Sequence, residues 1–168
     1  MKLVIRNATA ADLPGMEAVK RDAGMVAWPH ILPARLLATI PMPDRWAAAI
    51  ASSDPRVAVL VAESGGEVVG FAITRPSGDV DASRDTGELD AFYTSPAVWG
   101  NGVGRQLLAA ASSELAAAGF RDATLWTATL NHRPRRIYAV ALWQTDGAER
   151  SRELGGTQFV EVRYRKAM

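Results

Sequence analysis

The chain predicts one domain of mixed α/β class, built on a mostly antiparallel sheet, and three observations carry that expectation. Its 168 residues fit a single compact domain with a real core. Strand-like apolar runs and segments of helical period succeed one another in the order β-α-α-β-β-β-α-β-α-β-β. No internal repeat, linker or low-complexity segment interrupts that order.

The elements follow in turn. Lys2–Arg6 (KLVIR) reads as a short strand, and residues 9–23 as a helix that Thr9 or Asp12 can cap. Residues 24–43 hold four of the nine prolines and predict a loop around a short helix at 33–39. Residues 44–52 make a further short helix, with Asp44 as its candidate cap. VAVLVAE and EVVGFAIT, joined by Ser64-Gly65-Gly66, form a hairpin. A polar loop at 75–86 leads into a strand at 87–94. A helix from about Gly102 places Val103, Leu107, Ala111, Leu115 and Ala118 on one face and stops at Gly119. A strand at 122–129 and a helix at 133–143 come next, and strands near 146–152 and 157–166 flank Gly155-Gly156. Short turns make the inner strands antiparallel neighbours, whereas strand 87–94, its helix and strand 122–129 form a βαβ unit and a parallel pair.

Composition narrows the function. A net charge of +1 disfavours general binding to nucleic acid or to a membrane surface, so recognition of anions has to be local. The lack of cysteine removes disulfides, thiolate nucleophiles and cysteine metal sites together, and no metal site is expected. The N-terminal segment meets charge and proline too early for a secretory signal, and no apolar run approaches transmembrane length, so a cytoplasmic protein is the expectation.

One stretch carries chemistry. SPAVWGNGVGRQLL, residues 95–108, packs three glycines into five positions at the mouth of a helix. The first turn of a helix leaves N–H groups unpaired and concentrates the positive end of the dipole, so Gly100-Asn101-Gly102-Val103-Gly104 suits a diphosphate whose oxygens each take a donor. Neither familiar phosphate motif applies. Gly104 is followed by Arg105-Gln106 rather than Lys-Ser/Thr, and the spacing is not that of a dinucleotide fingerprint.

ELDAFYTSPAVWGNGVGRQLL, with Leu89, Phe92, Tyr93, Pro96 and then Trp99 to Gly104, resembles the GNAT superfamily of acyl-CoA-dependent N-acetyltransferases. NHRPRRIYAVALW, with Asn131, Tyr138 and Trp143, is similar to a second segment of that family. The match is specific over about 86–166 and topological before it. It implies a mixed, mostly antiparallel sheet of six to seven strands with helices on both faces. It also implies acetyl-CoA as co-substrate and a primary amine of a small molecule or a protein as acceptor. Three positions depart from the pattern. Trp99 replaces a Gln or Arg, so a polar contact to the phosphates is lost or comes from the main chain. Pro134 biases Arg133 toward an extended shape, which would displace Asn131. Leu142 replaces a glycine, so that helix end is expected to close without a left-handed residue.

The resemblance places the Tyr138 hydroxyl beside the thioester sulfur as a proton donor. It places an oxyanion donor in the main chain near Phe92 or Tyr93, where the strand bulges and splays from its neighbour and leaves edge groups for an amide-bearing ligand. The cofactor contacts it implies are Phe92, Tyr93, Thr94, Trp99, Gly100, Asn101, Gly102, Val103, Gly104, Arg105, Asn131 and Arg136. For the general base Glu88 is the candidate, with Asp90 on the same sheet face by period two, a water chain and His30 as alternatives. His132 reads as a surface residue. Among Arg105, Arg133, Arg135 and Arg136, one or two are expected to reach the phosphates. Trp126 and Trp143 fall in core-like patterns, while Trp28 and Trp46 flank the N-terminal helices where the family lines its acceptor pocket. A non-catalytic acyl-CoA-binding module is the competing reading, and the C-terminal strands offer a means of pairing in a homodimer.

Overall fold

A computed structural model describes residues 2–168. Its elements are β1 (Leu3–Asn7), α1 (Leu13–Ala27), α2 (Ala34–Thr39), α3 (Asp44–Ile50), β2 (Ala58–Ser64), β3 (Glu67–Pro76), β4 (Thr86–Thr94), α4 (Val103–Ala117), β5 (Asp122–Ala128), α5 (His132–Val140), β6 (Gln144–Leu154) and β7 (Thr157–Ala167). The seven strands form one sheet in the order β1-β2-β3-β4-β5-β7-β6. Only β4 and β5 run parallel, and every other neighbouring pair is antiparallel. No helix among the described residues is long and apolar enough to cross a membrane.

Two apolar layers sandwich the sheet. On one face Val103, Leu107, Leu108, Ala111 and Leu115 of α4 pack with Leu60, Ala72, Leu89, Leu125, Tyr138 and Trp143. On the other, Met16 and Val19 of α1 and Trp46 of α3 pack with Val59, Val61, Phe71, Ile73 and Ala91. Alternation along each strand sends successive side chains to opposite layers, which is why helices are needed on both faces. A third cluster, Ile31, Leu32, Leu37 and Ala128, seats α2 over the end of β5.

Several boundaries differ from the sequence expectation, each for a local reason. α1 begins after a 3-10 turn at Ala10–Asp12, where the Asp12 carboxylate accepts from the Thr9 N–H at 2.7 Å and is gripped by the Arg6 guanidinium at 2.8–2.9 Å. α1 then runs on to Ala27, because the first proline of the following stretch is Pro29. Asp44 does not cap α3; it is the helix's first residue, and Pro43 occupies the cap. α5 stops at Val140, three residues short of its expected end.

The end of α5 also corrects the expectation for Leu142. Leu142 is left-handed, at φ 66°. The Trp143 N–H reaches the Tyr138 carbonyl at 3.0 Å and the Leu142 N–H reaches Ala139 at 3.0 Å, the two bonds of a Schellman closure. α4 ends the same way, with Phe120 to Leu115 at 3.2 Å and Gly119 to Ala116 at 3.0 Å, but there glycine holds the left-handed position. In both, the apolar pair that the motif brings together, Tyr138 with Trp143 and Leu115 with Phe120, enters the core.

A candidate active site in the open seam of the sheet

The parallel ladder between β4 and β5 is short. Thr86, Gly87 and Glu88 pair with Asp122, Ala123 and Thr124, and beyond them the strands part. A bulge helps to turn β4 aside: Ala91 faces Ile73 and Leu89 faces Thr74, so Asp90 is the extra residue. Past the last rung, β4 keeps β3 on its other side as far as Thr94, and β5 keeps β7 as far as Ala128. Their facing edges are left to line a cleft. The splay implied by the family resemblance is therefore present.

The cleft passes through the sheet. Its walls include Asn131, Pro134, Ile137 and Tyr138 on the α4–α5 side, and Trp28, Arg45, Trp46, Trp126, Arg150, Arg152 and Glu161 on the α1–α3 side, with Glu88 to Thr94 between them. Of the expected site residues, Glu88, Phe92, Tyr93, Thr94, Trp99, Asn131 and Tyr138 are brought together here. Asn131 keeps its place, because Pro134 falls within the first turn of α5 and Arg133 is helical rather than extended. Arg105 and Arg136 are exposed and stand outside the lining. His30 does not enter the cleft either; its ring nitrogen lies 2.8 Å from the Leu130 carbonyl and its ring stacks on His132 at 6.4 Å.

The glycine turn begins where Trp99 leaves the cleft. Gly100 and Gly102 have φ of 86° and 79°, values that a side chain bearing Cβ adopts only under strain. The first intrahelical bond of α4 runs from Gln106 to the Gly102 carbonyl at 3.1 Å, so the Val103, Gly104 and Arg105 N–H groups have no partner within the helix. A Cβ at Gly102 would point toward space in which only the Gln106 amide lies, at 4.0 Å. At Gly104 it would stand 3.6 Å from Ile137 and 3.7 Å from the Phe92 ring, which ties this turn to the cleft wall. A turn with open space over its N–H groups fits a diphosphate. Trp99, standing where the family has Gln or Arg, donates from its indole N–H to the Thr94 carbonyl at 3.0 Å and hydroxyl at 3.1 Å. Its ring carries the Arg133 guanidinium at 4.3 Å, so a cation is nonetheless delivered to this spot. Arg135 is committed elsewhere, to the Tyr164 hydroxyl at 3.0 Å and the Thr129 carbonyl at 2.5 Å.

The two candidate carboxylates share a sheet face and an arginine. Arg75 Nη2 lies 3.0 Å from Glu88 and 3.2 Å from Asp90. Asp90 is further held by the Trp46 indole at 2.9 Å and by Arg45 at 3.3 Å. Glu88 has only Arg75 and a long contact from the Gly78 N–H at 3.5 Å. Burial pushes the Glu88 pKa up from the ordinary glutamate value, Arg75 opposes that, and Asp90 adds to it. Tyr138 is buried, with its ring 5.9 Å from Phe92 and 5.7 Å from Tyr164, and burial pushes its phenol well above the ordinary value. Tyr93 packs between Phe71 at 5.3 Å and Trp46 at 5.7 Å, and burial pushes its phenol up to about 12.

Trp126 departs from its core-like pattern. It is half-buried, donates to Asp79 at 2.8 Å and lies under Arg150 at 4.2 Å. Arg150, Arg152 and Glu161 carried no signal that sequence reasoning used; the available one was period two, which sets Arg150 and Arg152 on one face of a strand opposite Glu161.

The class of protein defined by this sheet, seam and glycine turn is that of the acyl-CoA-dependent acetyltransferases. The chain belongs to the acetyltransferase (GNAT) family, whose model matches residues 25–141, and it is an acetyltransferase. A probable N-acetyltransferase from Mycobacterium tuberculosis is 29% identical over 168 residues, covering 96% of this chain and 91% of the relative. The fold is shared with PaiA N-acetyltransferase from Thermoplasma acidophilum in complex with coenzyme A (TM-score 0.76, 17% identity, both chains covered in full). It is shared too with YncA, a putative acetyltransferase from Salmonella typhimurium with its cofactor acetyl-CoA (TM-score 0.77, 21% identity, 99% of this chain and 94% of that one).

Proposed function

We propose that this acetyltransferase transfers the acyl group of acetyl-CoA to a primary amine of a small molecule or a protein, by direct attack while both substrates are held in the cleft. One observation carries the reading: the open seam sets a buried tyrosine, on the wall where Ile137 and Phe92 lie against Gly104 of the glycine turn, across from a buried carboxylate on the α1–α3 side. Acetyl-CoA, when bound, supplies a thioester carbonyl as the electrophile. The Val103, Gly104 and Arg105 N–H groups, at the positive end of α4, would hold its diphosphate, with Gly100, Asn101 and Gly102 shaping the turn. Arg133, steadied on Trp99, would supply a cation beside that turn, and Arg136, exposed on the same helix, is a further candidate. The unpaired edge of β4 at Phe92, Tyr93 and Thr94 offers main-chain donors and acceptors to an extended amide-bearing ligand.

Glu88 would take the proton from the amine, which must be neutral to attack although a free alkyl amine has a pKa of about 10.4. Its raised pKa makes it a better proton acceptor than an exposed glutamate, and Asp90 is too heavily hydrogen-bonded to compete. Tyr138 keeps its proton at every working pH because its pKa is raised, so it presents an O–H to the departing sulfur and stabilises the charge there by hydrogen bonding. Calorimetric titration with coenzyme A tests the first half of the reading. The wild-type chain should bind, and Gly102→Val should weaken binding by roughly tenfold or more, because a β-branched residue at φ 79° reshapes the turn. Measurement of free thiol released from acetyl-CoA over a broad amine panel tests the second half. A folded protein with no binding heat at millimolar ligand, or no amine-dependent release, overturns the proposal.

A further inference from the structure

The α1–α3 end of the cleft carries more charge than acyl transfer uses, and its pairing is lopsided. Every carboxylate that lines it already has an arginine: Glu88 has Arg75, Asp90 has Arg45 and Arg75, and Glu161 accepts from Arg150 at 2.7 Å. The guanidinium side is not matched in the same way. Arg152 reaches Glu161 only at 3.9 Å, so two guanidiniums share one carboxylate. The side chains of Arg150 and Arg152 are 38% and 54% exposed, and that of Arg45 is 56% exposed. Each guanidinium has five N–H donors, and Glu161 occupies few of theirs. Arg150 also lies over the Trp126 ring at 4.2 Å, so its fork is positioned before any ligand arrives.

Resting on the reading of this cleft as the acyl-transfer site, we propose that the acceptor carries a carboxylate alongside its amine, as an amino acid does, and that Arg150 and Arg152 receive that carboxylate. A planar carboxylate takes two parallel N–H bonds from such a fork, which a plain alkyl amine cannot exploit. A second ammonium, as on a polyamine, meets only carboxylates that already hold an arginine. Anchoring the acid end on β6 leaves the amine as the free end of the acceptor, within the same cleft as Glu88. Trp28, Trp46 and Trp126 line the remaining wall and suit an apolar side chain.

The test uses matched acceptors: phenylalanine, phenylalaninamide and phenethylamine, with leucine and its two counterparts as a second set. The expected result is a kcat/KM for the acid at least about tenfold above that for its amide or decarboxylated amine. Arg152→Ala should bring that ratio close to one, and Arg152→Lys should keep part of it. Arg56→Ala, in an exposed pair with Asp54 away from the cleft, should leave the ratio intact. Equilibrium binding of the N-acetylated acid and the N-acetylated amide to cofactor-free protein gives a second readout that needs no turnover. Equal rates with equal binding, or a preference for the decarboxylated amine, overturns the proposal while leaving acyl transfer in place. Preferential binding of the acid without acetylation of any amine upholds the carboxylate site and sinks the acyl-transfer reading. Neither binding nor transfer overturns both.

Discussion

The two polar groups that line the seam are both held toward their neutral forms, one among rings and the other beside a cation. Tyr138 lies among aromatic rings and is pushed away from ionisation; Glu88 sits beside Arg75 and is pushed toward its neutral form less strongly than isolation would push it. Their separate substitutions should therefore read differently. Tyr138→Phe is expected to lower kcat by roughly tenfold or more with coenzyme A affinity unchanged in calorimetry, because only a donor to the leaving group is lost. Glu88→Gln is expected to cost roughly a hundredfold and to change the shape of the pH profile. A base must be deprotonated, so wild-type kcat/KM should fall on the acid side through an apparent pKa above the ordinary glutamate value of 4.5. That limb should vanish in Glu88→Gln. A limb that persists unchanged would assign the titration to another group.

Among the elements, the two Schellman closures make a natural comparison. Gly119 adopts its left-handed conformation freely, whereas Leu142 does so at a cost of about 1 kcal/mol or more, with its side chain 73% exposed and little burial to offset it. Leu142→Gly should raise stability by about 0.5 kcal/mol, the relief of strain being partly cancelled by the greater freedom of glycine in the unfolded chain. Chemical denaturation measures this, and a loss of stability would show that Leu142 contributes contacts worth more than its strain. Leu142 also marks where sequence reasoning ran short. Strand and helix periods, the Gly-Gly hairpin turns and the glycine-rich helix start are local signals, and the structure has an element or turn at each, with α1 and α5 ending elsewhere than their periods suggest. A left-handed leucine has no local signal, because it is imposed by Tyr138 and Trp143 entering the same core. The same holds for Trp126. Its alternation reads as core, yet the parting of β4 from β5 uncovers it, and the bulge at Asp90 that helps to turn β4 aside appears only when β4 is registered on β3. That Glu88 and Tyr138 stand near the glycine turn and the end of β4 was legible because each lies within a short motif; the grouping of Arg150, Arg152 and Glu161 was not, because only the pairing of β6 with β7 brings them together.

For the molecule as a whole, one buried arginine fastens the loop after β3 to the far half of the sheet. Arg163 on β7 donates to Asp81 and to Asp146 at 2.7 Å and to Asp79 at 3.2 Å, and Asp79 in turn accepts from Thr124 and Trp126 of β5. Removing it with Arg163→Met leaves three carboxylates clustered without their shared cation, two of them largely buried, and should cost about 3–5 kcal/mol in denaturant unfolding. Arg163 holds the Asp81 pKa down to about 2, below its unfolded value, so the stability it contributes is present above about pH 4 and is lost as the pH falls toward 2. The variant should therefore show a flatter acid limb than the wild type; an unchanged limb would detach Asp81 from the network's stability. This clasp matters because the strands themselves hold the halves together so sparingly. Three rungs at one end of β4 and β5 are the whole ladder between the halves, and beyond them β4 stays paired with β3 and β5 with β7. One apolar layer also spans the gap, with Leu60, Ala72 and Leu89 on one side and Leu125, Val162 and Tyr164 on the other, so the girth of cargo that the enzyme tolerates and the rigidity of its interior are governed by the same residues.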